Sequence, residues 1–149
     1  MESYTKEVGK KLNALLEKNY DAEKGYKKAA EHTEHTALKN YFSRKAAERY
    51  DFGHQLKNEI LNFGEEPKNS GSVTGAAHRT WMDVKAVFSA DNEESMLEEA
   101  IRGEKASVEE YNEVLNETNL PPSTREIVMN QKNTISQELN TIKRLEDLK

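Results

Sequence analysis

No cysteine occurs in the chain, which excludes thiolate catalysis, Cys-ligated metals and disulfide staples. Proline is nearly as scarce at 3, and glycine stands at 7 in 149 residues. With so few breakers, and long runs rich in Glu, Lys, Ala, Leu and Asn, the summed propensity favours helix almost throughout. No run approaches the ~20 consecutive apolar residues that a membrane span needs. A basic excess is missing too: the formal net charge is −5, and there is no basic stripe, phosphate-binding glycine loop or Ser/His/Asp order, so nucleic acid is not an expected partner. Met1-Glu2-Ser3-Tyr4-Thr5-Lys6 lacks a basic region followed by an apolar one, so no secretory leader is expected and the expected location is cytoplasmic, in keeping with the missing thiols.

What is there is a 35% hydrophobic, 33% charged chain of a length suited to one domain over residues 1–149. A chain of this size buries roughly 68–70% of its unfolded surface and does not need metal or disulfide staples. Apolar residues recur at three/four spacing in four long segments. The first, residues 5–31, carries Val8, Leu12, Leu16, Ala22, Tyr26 and Ala30, with Leu15 and Ala29 in support. His32-Thr33-Glu34-His35-Thr36 then reads as a hairpin, with Thr33 or Thr36 expected as the cap of the next helix. That helix, residues 36–63, carries Leu38, Phe42, Ala46, Gly53, Leu56 and Ile60, and Gly64 is its expected stop. Residues 64–75 are the one Gly/Pro/Ser-dense stretch and read as the start of a crossover spanning 64–91. Within it a short helix is expected over about 76–89, with Trp81, Val84 and Phe88 on one face. Asp91 with Glu94 reads as an acidic capping box opening a helix over 92–116, whose stripe is Leu97, Ile101, Val108, Tyr111 and Leu115. After Pro121-Pro122, Ser123 with Glu126 reads as a second box, and a last helix over 123–148 carries Val128, Ile135, Ile142 and Leu145. Short, long, short connections between four long helices give the expected fold class: an all-α, ferritin-like four-helix bundle of two helical hairpins joined by a long crossover.

Polar residues interrupt each stripe. Asn19 and Glu23 fall between Leu16 and Tyr26, Arg49 between Ala46 and Gly53, Glu104 between Ile101 and Val108, and Gln131 between Val128 and Ile135. Counted outward from the two hairpin turns, they share a layer near the middle of the bundle. Two arrangements compete for it. One is a carboxylate-bridged di-iron or di-manganese centre, with Glu23 and Glu104 in the single-Glu positions and Glu48, Asp51 or His54 as further ligands. Against it, no Glu-x-x-His occurs in the partner helices, and Asp51 and His54 lie about 200° and 140° around the helix from Arg49. The other is a buried ion network in which Arg49 bridges Glu23 and Glu104 while Asn19 and Gln131 complete the hydrogen bonds. Gly25, Gly53 and Gly103, each inside a helix at a cost of about 1 kcal/mol, fit a closely packed layer.

Outside the layer, Glu31-His32-x-Glu34-His35 has the residue types of a metal cluster but sits at a solvent-side turn. His78, Arg79 and Trp81 form a candidate pocket at the crossover, with Trp81 over the core. Tyr4, Tyr20, Tyr41 and Tyr50 fall off the main stripes and read as a second face for self-association into a homo-oligomer.

A set of strings carries a family resemblance: Asp21-Ala22-Glu23-Lys24-Gly25-Tyr26 with Ala29-Ala30-Glu31, Ala47-Glu48-Arg49, Gly71-Ser72 with Gly75, His78-Arg79 with Trp81, Leu97-Glu98-Glu99, Arg102-Gly103-Glu104, and Tyr111. Over about residues 12–111 the chain resembles the bacterial four-helix-bundle family known as domain of unknown function 2383. The resemblance implies a ferritin-like bundle in a bacterial, cytoplasmic protein, and it brings neither a reaction nor a defined ligand set. Its relatives often carry a His in the last helix near Glu138 and Leu139, and this chain has none there. The expected role is a structural or stress-associated binding bundle, with no cofactor firmly implied. The alternatives are a divergent Fe- or Mn-binding protein and an oligomeric interaction scaffold.

Overall fold

A computed structural model describes residues 2–69 and 93–148. It contains four long helices: α1 (Glu2–Glu31), α2 (Thr36–Asn62), α3 (Glu93–Glu117) and α4 (Pro122–Thr141), followed by a 3-10 turn (Leu145–Asp147). Among the described residues there is no strand, and the helices pack as an all-α four-helix bundle. The crossover helix expected over 76–89, with His78, Arg79 and Trp81, lies outside the described residues, as does Asp91.

Cross-bundle pairs fix the helix directions. Lys18 meets Glu110, Asn19 meets Tyr111 and Tyr26 meets Glu104, so α1 and α3 run antiparallel. Glu59 meets Thr124, Phe52 meets Gln131 and Lys45 meets Glu138, so α2 and α4 are antiparallel as well. Since α1 and α2 form a hairpin, α2 and α3 run in the same direction, and α2 ends at the opposite end of the bundle from the start of α3. The first residues after α2 turn back along α1. Asn13 donates to the Glu66 carbonyl at 3.0 Å and accepts from the Lys68 N–H at 2.9 Å, Tyr20 donates to the Lys68 carbonyl, and Lys68 Nζ pairs with Glu17. Gly9, Asn13, Glu17 and Tyr20 therefore form a track on α1 that carries residues 65–68.

The core divides into two apolar clusters. One holds Val8, Leu12, Leu15, Leu16, Leu56, Ile60, Leu115 and Val128 among its members; the other holds Ala22, Tyr26, Ala30, Leu38, Phe42, Met96 and Leu97. Small alanines in the second cluster leave room for three rings, with Tyr26 edge-on to Tyr41 at 6.5 Å and tilted against Phe42 at 6.0 Å. Tyr41 is thus a core residue, contrary to its assignment to an outer face: it stands beside Phe42 near the start of α2, where the neighbouring alanines leave a ring's width to fill.

Several helix ends differ from the sequence reading. His35, and neither Thr33 nor Thr36, caps α2: its ring nitrogen accepts the Leu38 N–H at 3.2 Å, while Thr33 Oγ1 accepts the His35 N–H. Gly64 follows the end of α2 with φ 77°, the left-handed conformation that a glycine adopts without strain. The Ser123/Glu126 box is not formed, because α4 already starts at Pro122, where a fixed φ and a missing N–H suit the first helical position. The last helix stops at Thr141, well short of residue 148. Ile142 is extended, and Asp147 Oδ2 accepts the backbone N–H groups of Lys143 and Arg144, a local turn that competes with helix continuation.

Candidate functional site

Between the two apolar clusters lies a layer of polar side chains. Asn19, Lys45, Arg49, Glu104, Ser107 and Gln131 are all buried. Arg49 from α2 is the hub. Its Nη2 donates to Glu104 Oε2 at 2.6 Å and to Ser107 Oγ at 3.1 Å, and its Nη1 donates to Asn19 Oδ1 at 3.0 Å. Arg49 Nε has no hydrogen-bond partner among the described residues. The other Glu104 oxygen accepts from the Tyr26 hydroxyl and lies 3.5 Å from Lys45 Nζ. Lys45 extends the network outward, pairing with Glu48 at 2.9 Å and with Glu138 of α4. On the other side Asn19 donates to the Tyr111 hydroxyl, which donates to Gln131, which donates in turn to the Phe52 carbonyl and to Gln55. One connected chain of hydrogen bonds therefore links all four helices.

Electrostatics lock these charges. Burial favours the neutral form of Glu104, but the adjacent Arg49 and Lys45 outweigh it and hold its carboxyl below the usual range. Arg49 and Lys45 are likewise held in their charged forms: desolvation opposes the charge, and Glu104 outweighs it only together with the other neighbours, Tyr26 and Tyr111 for Arg49 and Glu48 and Glu138 for Lys45. Burial, with the Glu104 charge adding to it, pushes the Tyr26 hydroxyl well above its usual value, and burial pushes Tyr111 up to about 12. Glu48 is raised by burial, with Lys45 opposing.

Of the residues singled out by sequence, Asn19, Arg49, Glu104 and Gln131 are brought together here. Glu23 is not. Its side chain is 15% exposed and its carboxylate pairs with Lys27 at 2.9 Å, because the four-residue step turns it about 40° past Asn19, on the side away from Ala22 and Tyr26, which lie about 100° and 60° from it. The positive centre expected to hold two carboxylates from α1 and α3 instead holds one, and α2 and α4 supply the others through Lys45. Asp51 and His54 are exposed on α2, His54 lying edge-on to Tyr50. His32 and His35 make local backbone hydrogen bonds at the α1–α2 turn. Of the four tyrosines read as one face, Tyr4 donates to the Asn119 carbonyl, Tyr20 lies on the α1 track under Lys57, and Tyr50 is 52% exposed beside His54.

Lys45 and Ser107 have no place in the sequence reading, and of the two Lys45 carries charge. It stands seven positions after Leu38 and seven before Phe52, both buried, and that two-turn spacing was the available signal. Tyr26 and Tyr111 were read as apolar stripe members, whereas their hydroxyls belong to the polar layer.

The donor set does not fit a carboxylate-bridged metal pair. Both Glu104 oxygens are engaged by Arg49, Lys45 and Tyr26, and an ammonium and a guanidinium stand where cations would be needed. Among the described residues, no three His, Cys, Asp or Glu side chains are grouped so as to hold a metal ion.

A second feature is a groove of about 490 Å³ between α1 and α2. Ala30, Ser43, Ala46 and Ala47 line it together with Tyr50 and Lys27. Among the described residues no helix is long and apolar enough to cross a membrane.

Fold and layer together define an all-α bundle with a charged, internally neutralised centre. The chain matches the family described as domain of unknown function (DUF2383) over residues 7–117, and it belongs to that family. The match takes in α1, α2 and α3 almost whole and stops before α4, so Gln131 and Glu138 lie beyond it. No curated protein and no solved structure matches the chain.

Proposed function

We propose that the protein is a ferritin-like bundle of a bacterial cytoplasm, acting as a structural or stress-associated binding protein whose centre is an ionic clamp. The ferritin-like part of this reading is supported by the shared direction of α2 and α3 and by the long stretch of chain between them. The ionic clamp is supported by the complete engagement of the Glu104 carboxylate by Arg49, Lys45 and Tyr26. An arginine and a lysine supply the charge that metal ions supply in carboxylate-bridged bundles. Such a centre needs no loading and is indifferent to chelators.

Metal analysis tests the reading. Protein purified without chelator should contain iron and manganese far below stoichiometry, and its unfolding midpoint should be unchanged after dialysis against EDTA. Stoichiometric metal that is lost in a Glu48→Ala/Glu138→Ala variant would overturn it.

A further inference from the structure

The turn over residues 32–35, between α1 and α2, holds two histidines that use the same ring atom in opposite ways. Nδ1 of His32 lies 2.8 Å from the Lys28 carbonyl, an acceptor, so the bond needs a proton on Nδ1. Nδ1 of His35 lies 3.2 Å from the Leu38 backbone nitrogen, a donor, so the bond needs a bare lone pair on Nδ1. Protonating both rings leaves the first bond intact and abolishes the second.

The backbone places His35 for this role. It stands at the N-cap of α2 with φ −69° and ψ 112°; its own N–H donates to the hydroxyl of buried Thr33 at 3.2 Å, and its carbonyl accepts the Lys39 N–H at 2.8 Å. Neither of these bonds depends on the charge of the ring. The half-buried ring borders a cavity of about 600 Å³ at this end of the bundle. Among the described residues, the titratable and charged groups around it are His32 and Glu34 of the same turn, Lys39 of α2, Glu94 at the start of α3, and Arg144 and Glu146 of the C-terminal turn. A ring released from the cap can turn into that cavity, which has the Glu94 and Glu146 carboxylates on its wall.

We infer that His35 is a pH-operated latch on the first turn of α2: the neutral ring holds the Leu38 N–H, and the protonated ring lets it go. The cap bond is present above the ordinary imidazole range, about 6.5, and is lost as pH falls through it. Acid thus loosens the α1–α2 end of the bundle beside buried Leu38. The charges on Glu104, Arg49 and Lys45 in the central layer are locked and do not change over that range.

Hydrogen exchange at the Leu38 amide of the full-length chain, followed by NMR from about pH 8 to about pH 5.5 and referred to the Leu56 amide in the middle of the core, reads the latch directly. Protection of Leu38 relative to Leu56 should fall about fivefold as the ring gains its proton, the equivalent of one lost N-cap bond. His35→Asn should hold that ratio constant, because an asparagine at an N-cap accepts the bond through an oxygen that does not titrate. Titration of any other group, Glu48 included, is common to both proteins and cancels in the comparison. Ring nitrogen shifts above the imidazole range give a second readout, with Nδ1 bare on His35 and protonated on His32. Relative protection of Leu38 that stays flat in the wild type, or that falls equally in His35→Asn, overturns the inference, as does a proton on Nδ1 of neutral His35.

Discussion

Arg49 on α2 and Glu104 on α3 meet through a 2.6 Å contact between Nη2 and Oε2, with both side chains almost wholly shielded from water. They come from helices separated by a long stretch of chain. A buried pair contributes little net stability compared with a well-packed apolar pair, yet losing one partner strands the other's charge.

Arg49→Ala is therefore expected to destabilise the bundle by about 3–5 kcal/mol, measured by urea unfolding. Arg49→Met with Glu104→Leu should cost much less than the two single changes added together, since neither charge is then left buried alone. Additive losses in that double-mutant cycle would mean that the two side chains act independently.

Lys45 and Glu138 should differ sharply despite being partners. Lys45→Met leaves Glu104 and Glu48 facing a lost cation and should cost about 3 kcal/mol or more. Glu138 is 28% exposed, so water replaces Lys45 when the pair is broken, and Glu138→Gln should cost about 1 kcal/mol or less. Equal losses would show that Lys45 serves Glu138 rather than Glu104.

The pH dependence follows from the shifts at Glu104 and Tyr111. The Glu104 carboxyl is held below its usual range in the fold, so its contribution is present above the unfolded value of ~4.3 and is lost as pH falls through the folded one. The stability gap between wild type and Glu104→Gln should accordingly close in acid. Tyr111 is raised to about 12, so its contribution is present below the unfolded value of ~10 and is lost as pH climbs from there. Tyr111→Phe should flatten the alkaline decline. Urea titrations at stepped pH measure both, and parallel curves for variants and wild type would contradict the shifts.

Two glycines should respond in opposite ways to alanine. At Gly53 an added Cβ would sit 3.5 Å from Leu16 Cδ1, an ordinary contact, so Gly53→Ala should stabilise by about 0.5–1 kcal/mol through helix propensity. At Gly9 the Cβ would lie 2.6 Å from Glu65 Cγ and 2.9 Å from its Cβ, next to the Glu65 backbone. Gly9→Ala should displace residues 65–68 and expose them to proteolysis, which Gly53→Ala should not do.

The apolar residues named for α1 and α2 are all buried, and Gly64 ends α2, because three/four spacing and a left-handed glycine act through a helix's own geometry. Asn19, Arg49, Glu104 and Gln131 were readable for the same reason: each replaces an apolar residue in a stripe. Glu23 and Lys45 were not, because a residue about 55° from the stripe centre is buried or exposed according to the neighbour it meets. Lys45 meets Glu104 and Glu138; Glu23 meets solvent and Lys27. The caps failed similarly, since His35, Thr33 and Thr36 all offer an acceptor and only the path of the turn chose His35.

What the sequence by itself determined is the helical class, the four long segments and the polar breaks within their apolar stripes, all consequences of local periodicity and of how rare breakers are. Which charges pair was decided by the tertiary structure alone. Coulomb attraction and desolvation depend on distances between residues 55 and 93 positions apart, here Arg49 with Glu104 and Lys45 with Glu138, and no local pattern encodes those distances.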